Sequence, residues 1–417
     1  MTDMRKTLYL LAAWIVLFSM SATAQDKDEQ KDFGIDFKGF VKNDAFYDSR
    51  QTATAREGHF LLWPMPQSPD NQGEDINAHP QFNMLALQSR LSGTITGPDF
   101  LGASTSGTIE GDFFAQANDN INLFRLRHAF VKLEWQNTEL LAGQYWNPMF
   151  VTRCYPGTVS FNTGVPMQPF ARNPQVRLKQ SLGSFDVVAA ALAQRDYTSR
   201  AEGVASSRFL RNSGRPDLHL QLHYSNKSFL AGAGMSYKTI LPRLATEQGF
   251  HTEASVDGLS YMVYARINTR PLTIKMEAVS GQNLSDVLQV SGFATHSIDP
   301  ATGRRSYEPL RNTSLWADVH TNGKPLRAGL FAGYTRNHGT QKEVIASEDL
   351  IFGFGNNIAS LYRISPRLVY QSGKVRLALE GEYTSATFGS SYNEHAVPEG
   401  THTAANMRLL FSTYYFF

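Results

Sequence analysis

Apolar and polar residues alternate along most of this chain. From Ile35 to Asp48, one face carries Ile35, Phe37, Gly39, Val41, Ala45 and Tyr47, and the other Asp36, Lys38, Lys42, Asp44 and Asp48. A period of two marks a strand with unlike faces. About sixteen such segments recur with no convincing amphipathic helix between them. They begin near residues 35, 81, 103, 122, 139, 174, 185, 217, 228, 254, 272, 312, 325, 357, 374 and 402. In the last of them Met407, Leu409, Phe411, Thr413, Tyr415 and Phe417 form one face and end on an aromatic residue.

The connections alternate in length. Short turns are read at Gln136-Asn137-Thr138, Leu182-Gly183-Ser184, Ser225-Asn226-Lys227, Asn322-Gly323-Lys324 and Gln371-Ser372-Gly373; long polar connections at 49–80, 148–173, 196–216, 282–311, 338–356 and 386–401. A soluble sandwich has little reason to keep its short connections at one end and its long ones at the other, whereas an outer-membrane barrel does. The expected fold is therefore all-β: a transmembrane antiparallel barrel of about sixteen strands, an even number that returns the chain to its starting side.

Composition changes this picture little. The mean hydropathy of −0.31 suits a soluble protein, but a barrel dilutes its lipid-facing residues with lumen-facing ones. The aromatic share of 12% and 32 glycines fit interfacial girdles and tight turns. At the start, Arg5 and Lys6 precede an apolar run, Leu8 to Phe18, and Ala22-Thr23-Ala24 offers a cleavage site. That run is about half the length of a spanning helix, so 1–24 reads as a signal peptide rather than an anchor. Residues 25–33 read as a short polar lead and 34–417 as the barrel, with no second domain. Cys154 is the single cysteine and cannot pair within the chain; an inert thiol is the expected state. A net charge of +2 with no run of like charge points to no nucleic-acid partner.

Candidate chemistry lies on the polar face of each strand, taken as the lumen wall. Its basic members are Arg90, Arg125, Arg127, Arg177, Lys179, Arg266, Lys275, Arg327, Arg363, Arg367, Arg376 and Arg408; its acidic members are Asp44, Glu110, Asp112, Glu277, Asp318, Glu380 and Glu382. The basic excess implies a modest preference for anionic solutes; the alternative is that the charges pair across strands and stiffen the wall. The long connection 148–173 is the candidate constriction loop folded into the channel. Tyr155, Phe161, Val165, Met167 and Phe170 can pack on the wall, prolines 156 and 166 with glycines 157 and 164 can set turns, and Arg153 and Arg172 can project into the opening. The plainer alternative has this loop covering the mouth. Arg172 with Arg125, Arg127 and Arg177 would form a cluster suited to carboxylate or phosphate. His219 and His223, at i and i+4 on a strand, stand about 13 Å apart, too far to share a metal. No catalytic or phosphate-binding motif is present, so neither enzyme activity nor a cofactor is expected.

Several stretches resemble the DcaP-like family of outer-membrane porins. They are Leu126-Arg127-His128-Ala129-Phe130-Val131, Leu141-Ala142-Gly143-Gln144, Arg172-Asn173-Pro174-Gln175-Val176-Arg177, residues Glu277 to Leu284, Tyr362-Arg363-Ile364-Ser365-Pro366-Arg367 and Glu380-Gly381-Glu382-Tyr383-Thr384, in matching order across the mature chain. The resemblance implies a sixteen-stranded barrel, a homotrimer in outer-membrane lipid, an inward-folded third loop, and a basic channel passing small anionic solutes such as dicarboxylates. It places solute contact at Arg125, Arg127, Arg172 and Arg177, to which the reading of the wall and third loop adds Arg90, Arg153, Arg363 and Arg367. Some members carry an N-terminal coiled coil before the barrel; here only a few polar residues follow the cleavage site, which bears on the trimer. The competing function is a plugged barrel that binds or adheres through loops 49–80 and 282–311, with Phe60, Trp63 and Tyr307 as recognition residues.

Overall fold

The structure is a computed structural model and describes residues 33–115 and 118–417. The predicted signal peptide, 1–24, and all but the last residue of the predicted lead, 25–33, lie outside the described residues.

The barrel strands are β1 (Gly34–Asp48), β2 (Gln81–Leu85 and Arg90–Phe100), β3 (Ala103–Asp112), β4 (Arg125–Glu134), β5 (Thr138–Trp146), β6 (Arg172–Leu182), β7 (Phe185–Leu192), β8 (Asp217–Ser225), β9 (Phe229–Ile240), β10 (Val256–Asn268), β11 (Leu272–Gln282), β12 (Arg311–Thr321), β13 (Leu326–Gly339), β14 (Ile358–Ser372), β15 (Val375–Phe388) and β16 (His402–Phe416). The sheet holds seventeen segments, two of which are the halves of β2 on β1, so the strands number sixteen. Each pairs antiparallel with the next, and β16 closes on β1 with Phe40 opposite Phe416 and Asp48 opposite Arg408. Closure removes the sheet edges that would otherwise leave backbone groups unpaired.

The expected strands stand where the alternation put them. The largest shift is at β4, read from 122 but beginning at Arg125: Leu123 and Phe124 continue the apolar pattern, yet Phe124 belongs to the preceding loop and packs edge-on against Phe113 at 5.2 Å. Long connections also occur at 113–124 and 241–255, which the sequence reading did not single out. A helix, α1 (Arg208–Ser213), stands in the fourth long connection against the expectation of none. Six residues are too few to display a helical period; α1 is held instead by Phe209 and Leu210, buried beside Ile240, Val256 and Phe293, and by Gly214 in the left-handed C-terminal position at φ 66°.

The surface is inverted relative to a soluble protein. Along β1, Val41 and Tyr47 are 56% and 47% exposed, whereas Lys42 and Asp44 are 1% exposed and Asp48 0%. Apolar residues face outward and charged ones inward, the arrangement a lipid solvent imposes.

The interior is filled by loops. A hairpin in 49–80 (Thr52–Ala55 with Phe60–Pro64) turns inward: Phe60 is buried, the Gly58 carbonyl accepts from Arg408 at 2.8 Å, and the Leu62 carbonyl accepts from Arg363 at 2.6 Å. This corrects the placement of the recognition residues. Phe60 packs edge-on against Phe161 at 5.2 Å, Trp63 against Phe354 at 4.8 Å and Tyr307 against Phe293 at 5.3 Å. Each packs against another ring; Phe60 is buried and offers no surface to a partner, while Trp63 and Tyr307 are partly buried.

Candidate functional site

The third long loop, 147–171, is closed at its base, where the Asn147 amide donates to the Ala171 carbonyl at 2.9 Å and the Asn147 side chain to Asn173 at 3.1 Å. Its tip is held by complementary charge. Glu380 accepts from the backbone N–H groups of Val159 and Ser160 at 2.7 and 3.0 Å, Glu382 accepts from the Asn162 amide at 3.0 and 2.9 Å, and Asp318 accepts from the Gly157 N–H at 3.2 Å. Wall cations donate to loop carbonyls: Lys42 to Val159 at 3.2 Å, Arg363 to Val165 at 2.5 Å, Lys275 to Tyr155 at 3.0 Å and Arg266 to Arg153 at 2.9 Å. Each is a charge-assisted bond that satisfies a backbone group the loop could not satisfy itself.

Toward the long-loop end, β2, β4 and β6 bring Arg90, Arg125, Arg127 and Arg172 together around acids, two of them on β3. Asp112 accepts from Arg125 Nε at 2.8 Å and Arg127 Nη1 at 2.9 Å, and Glu110 accepts from Arg127 Nε at 2.7 Å. Arg90 stands 3.7 Å from each of these carboxylates. Asp196, from the fourth long loop, takes Arg172 through Nε at 3.0 Å and Nη2 at 2.6 Å. Burial would raise the Asp196 carboxyl, but Arg172 and Arg125 beside it hold it below its ordinary value. Arg172 also lies over the Trp146 and Phe170 rings at 5.0 and 5.7 Å and is almost wholly buried. Arg177 stays apart from these four: it donates to the Trp146 carbonyl at 2.7 Å and rests over Tyr145 at 5.1 Å.

The remaining predicted residues sit on the opposite wall or the loop. Arg367 grips Asp318 through two bonds of 2.7 and 2.9 Å. Arg363 is fully buried, bonded to Thr384 at 2.8 Å and lying 3.4 Å from Glu382. Arg153 is the most open, its nearest carboxylate being Asp186 at 3.8 Å.

Beneath the third loop, toward the short-turn end, lies a cavity of about 560 Å³. Its charged lining consists of Arg90, Arg127, Lys275, Arg327, Arg367 and Arg376, with His320 beside them and no aspartate or glutamate. Arg376 donates to Gln371 Oε1 at 3.1 and 2.8 Å and lies over the Phe416 and Tyr414 rings at 4.7 and 5.4 Å; Arg327 donates to the same oxygen at 3.3 Å. Two guanidinium groups thus share one neutral acceptor. Lys275, Arg327 and Arg376 make no ion pair among the described residues. The sequence reading placed all three on the wall but did not single them out. The available signal was the hairpin Gln371-Ser372-Gly373-Lys374-Val375-Arg376, where Gln371 faces Arg376 in register and no acid is near.

His219 and His223 are each held in the wall by hydrogen bonds. His219 bonds Ser236 at 2.7 Å and Gln221 at 3.3 Å, and His223 bonds the Tyr264 hydroxyl. Among the described residues no group of three potential ligands could hold a metal ion.

Comparison with solved structures completes the description. The fold matches that of a known channel. The outer membrane channel DcaP of Acinetobacter baumannii superposes with a TM-score of 0.70 at 17% identity, covering 95% of this chain and 100% of that one. The in-vitro folded OmpT of Vibrio cholerae in its trimer form gives 0.54 at 10% identity (93% and 100% covered), and the anion-selective porin from Comamonas acidovorans 0.54 at 10% (93% and 100%). At these identities the likeness is one of fold. No protein-family model and no curated protein sequence matches this chain.

Proposed function

We propose that this chain is an outer-membrane porin through which small hydrophilic solutes diffuse passively, with a weak preference for anions such as dicarboxylates. The carrying observation is the acid-free cavity beneath the third loop, whose Lys275, Arg327 and Arg376 are left without a counter-ion. A water-filled wall of one sign concentrates ions of the other. The inverted surface and the likeness in fold to an outer membrane channel and an anion-selective porin support the membrane setting. The third loop acts as the constriction, and the working unit is a homotrimer, as in the trimer form of OmpT. Of the eight arginines read from sequence, Arg90, Arg127 and Arg367 line the cavity; Arg125, Arg172 and Arg363 hold the wall and loops in place.

Refolded mature protein in a planar bilayer under a KCl gradient provides the test. Stepwise conductance with a reversal potential on the anion side is expected; clear cation preference, or silence from an intact barrel, overturns the reading. One observation favours the rival plugged barrel: the rings of Phe60, Phe114 and Phe161 pack together within the lumen, at 5.2 Å for Phe60–Phe161 and 4.0 Å for Phe114–Phe161. Silence in the same experiment would support that rival.

A further inference from the structure

A second cavity, of about 600 Å³, opens beside the outward rows of β5, β6 and β7. Ala142, Val176 and Ala191 are neighbours in register across these three strands and contribute to its lining. Ala142 lies at the middle of β5, and Val176 and Ala191 lie on the long-loop side of the middle of β6 and β7. Leu210 of α1 contributes further apolar surface, and Arg211 and Arg215 bring two positive charges to it. No acidic residue lines the cavity, and neither guanidinium makes an ion pair among the described residues. The helix carrying Arg211 is anchored, because Phe209 and Leu210 are buried and the Phe209 carbonyl accepts from the Leu241 amide at 2.8 Å; Arg215 follows it directly, its amide donating to the Ser213 hydroxyl at 3.3 Å. The backbone that carries the two charges is therefore tied to the groove.

We propose that this groove binds an anionic, acylated glycolipid of the outer leaflet, a lipid A-type molecule, with an acyl chain along the apolar residues and a phosphate on Arg211 and Arg215. A groove that is apolar and charged at once matches a molecule that is both: its apolar residues lie along the strands, and Arg211 and Arg215 stand in the connection beyond the long-loop ends of β7 and β8, where phosphate headgroups meet acyl chains in an outer membrane. Guanidinium is the side chain best shaped to take a phosphate through paired bonds. A zwitterionic phospholipid carries its own ammonium and would satisfy the pair less well.

The test uses the full mature chain refolded in detergent, with barrel formation checked by heat-modifiable gel migration, so that it does not depend on whether the channel conducts. Bis-phosphorylated lipid A is added and bound lipid is counted by native mass spectrometry, with phosphatidylethanolamine as the comparison. One tightly held lipid A per chain is expected. Reversing both charges, Arg211→Glu with Arg215→Glu, should lower its occupancy about tenfold or more. Filling the groove with Ala191→Trp should lower it too while both arginines remain. The proposal fails if phosphatidylethanolamine binds equally, or if both variants keep lipid A. It also fails if Ala191→Trp leaves lipid A bound but dissociates oligomers, which would make the groove a contact between copies of this chain.

Discussion

Two groups of arginines in one lumen have opposite fates. At the long-loop end, four arginines meet Glu110, Asp112 and Asp196, and their charge is spent on holding β2, β3, β4, β6 and the fourth long loop together. At the short-turn end, Arg327 and Arg376 share the neutral oxygen of Gln371, with Lys275 nearby on a carbonyl, and their charge is left to the cavity. A buried charge must be paired, whereas one facing water need not be. Residue type alone is thus a poor guide to which arginines an ion feels; the counter-ion decides.

The sharpest way to break this contrast is Asp112→Asn. It removes the central negative charge between Arg125 and Arg127, leaving buried positive charge uncompensated, and should cost about 3–5 kcal/mol. A barrel whose denaturant midpoint is unmoved would show that these arginines are not structural. Glu380→Ala removes the acceptor of two loop N–H groups and should loosen the third loop by about 2 kcal/mol. Faster proteolysis within 147–171 and noisier conductance are the expected readouts, and an unchanged digestion pattern would count against the anchoring role.

A subtler effect is expected from Arg327→Ala with Arg376→Ala. Folding should survive, while the anion-to-cation permeability ratio falls about threefold, of the order expected for local potentials near RT. The same ratio in wild type and variant would remove the distinction drawn here. Acid provides a fourth test. Asp196 has a lowered pKa, so its contribution to stability is complete above the ordinary value of 3.8 and is lost as pH falls through the lowered one. The unfolding temperature of the wild type should therefore drop more below pH 3.8 than that of Asp196→Asn.

The smallest effect concerns Cys154. Burial, with Glu277 nearby, pushes its thiol up to about 12, and its sulfur donates to the Ala265 carbonyl at 3.3 Å. Maleimide should leave it unmodified at neutral pH until the barrel is denatured; prompt labelling would place the loop elsewhere.

Strand positions were legible because the period of two is local: β1 shows it whatever the rest of the chain does, and a membrane preserves it by wetting one face with lipid. Loop paths were not. Residues 49–80 look like a surface loop in sequence, and only the enclosed volume, with Phe161 and Phe114 already in it, draws Phe60 inward. Arg172 was expected in the opening, but Asp196, twenty-four residues away, takes it into the wall. Alternation along the chain determined the barrel and its strands. Tertiary structure alone decided which cations kept a counter-ion, because pairing depends on residues brought within a few ångströms by closure of the sheet and not on their order in the chain.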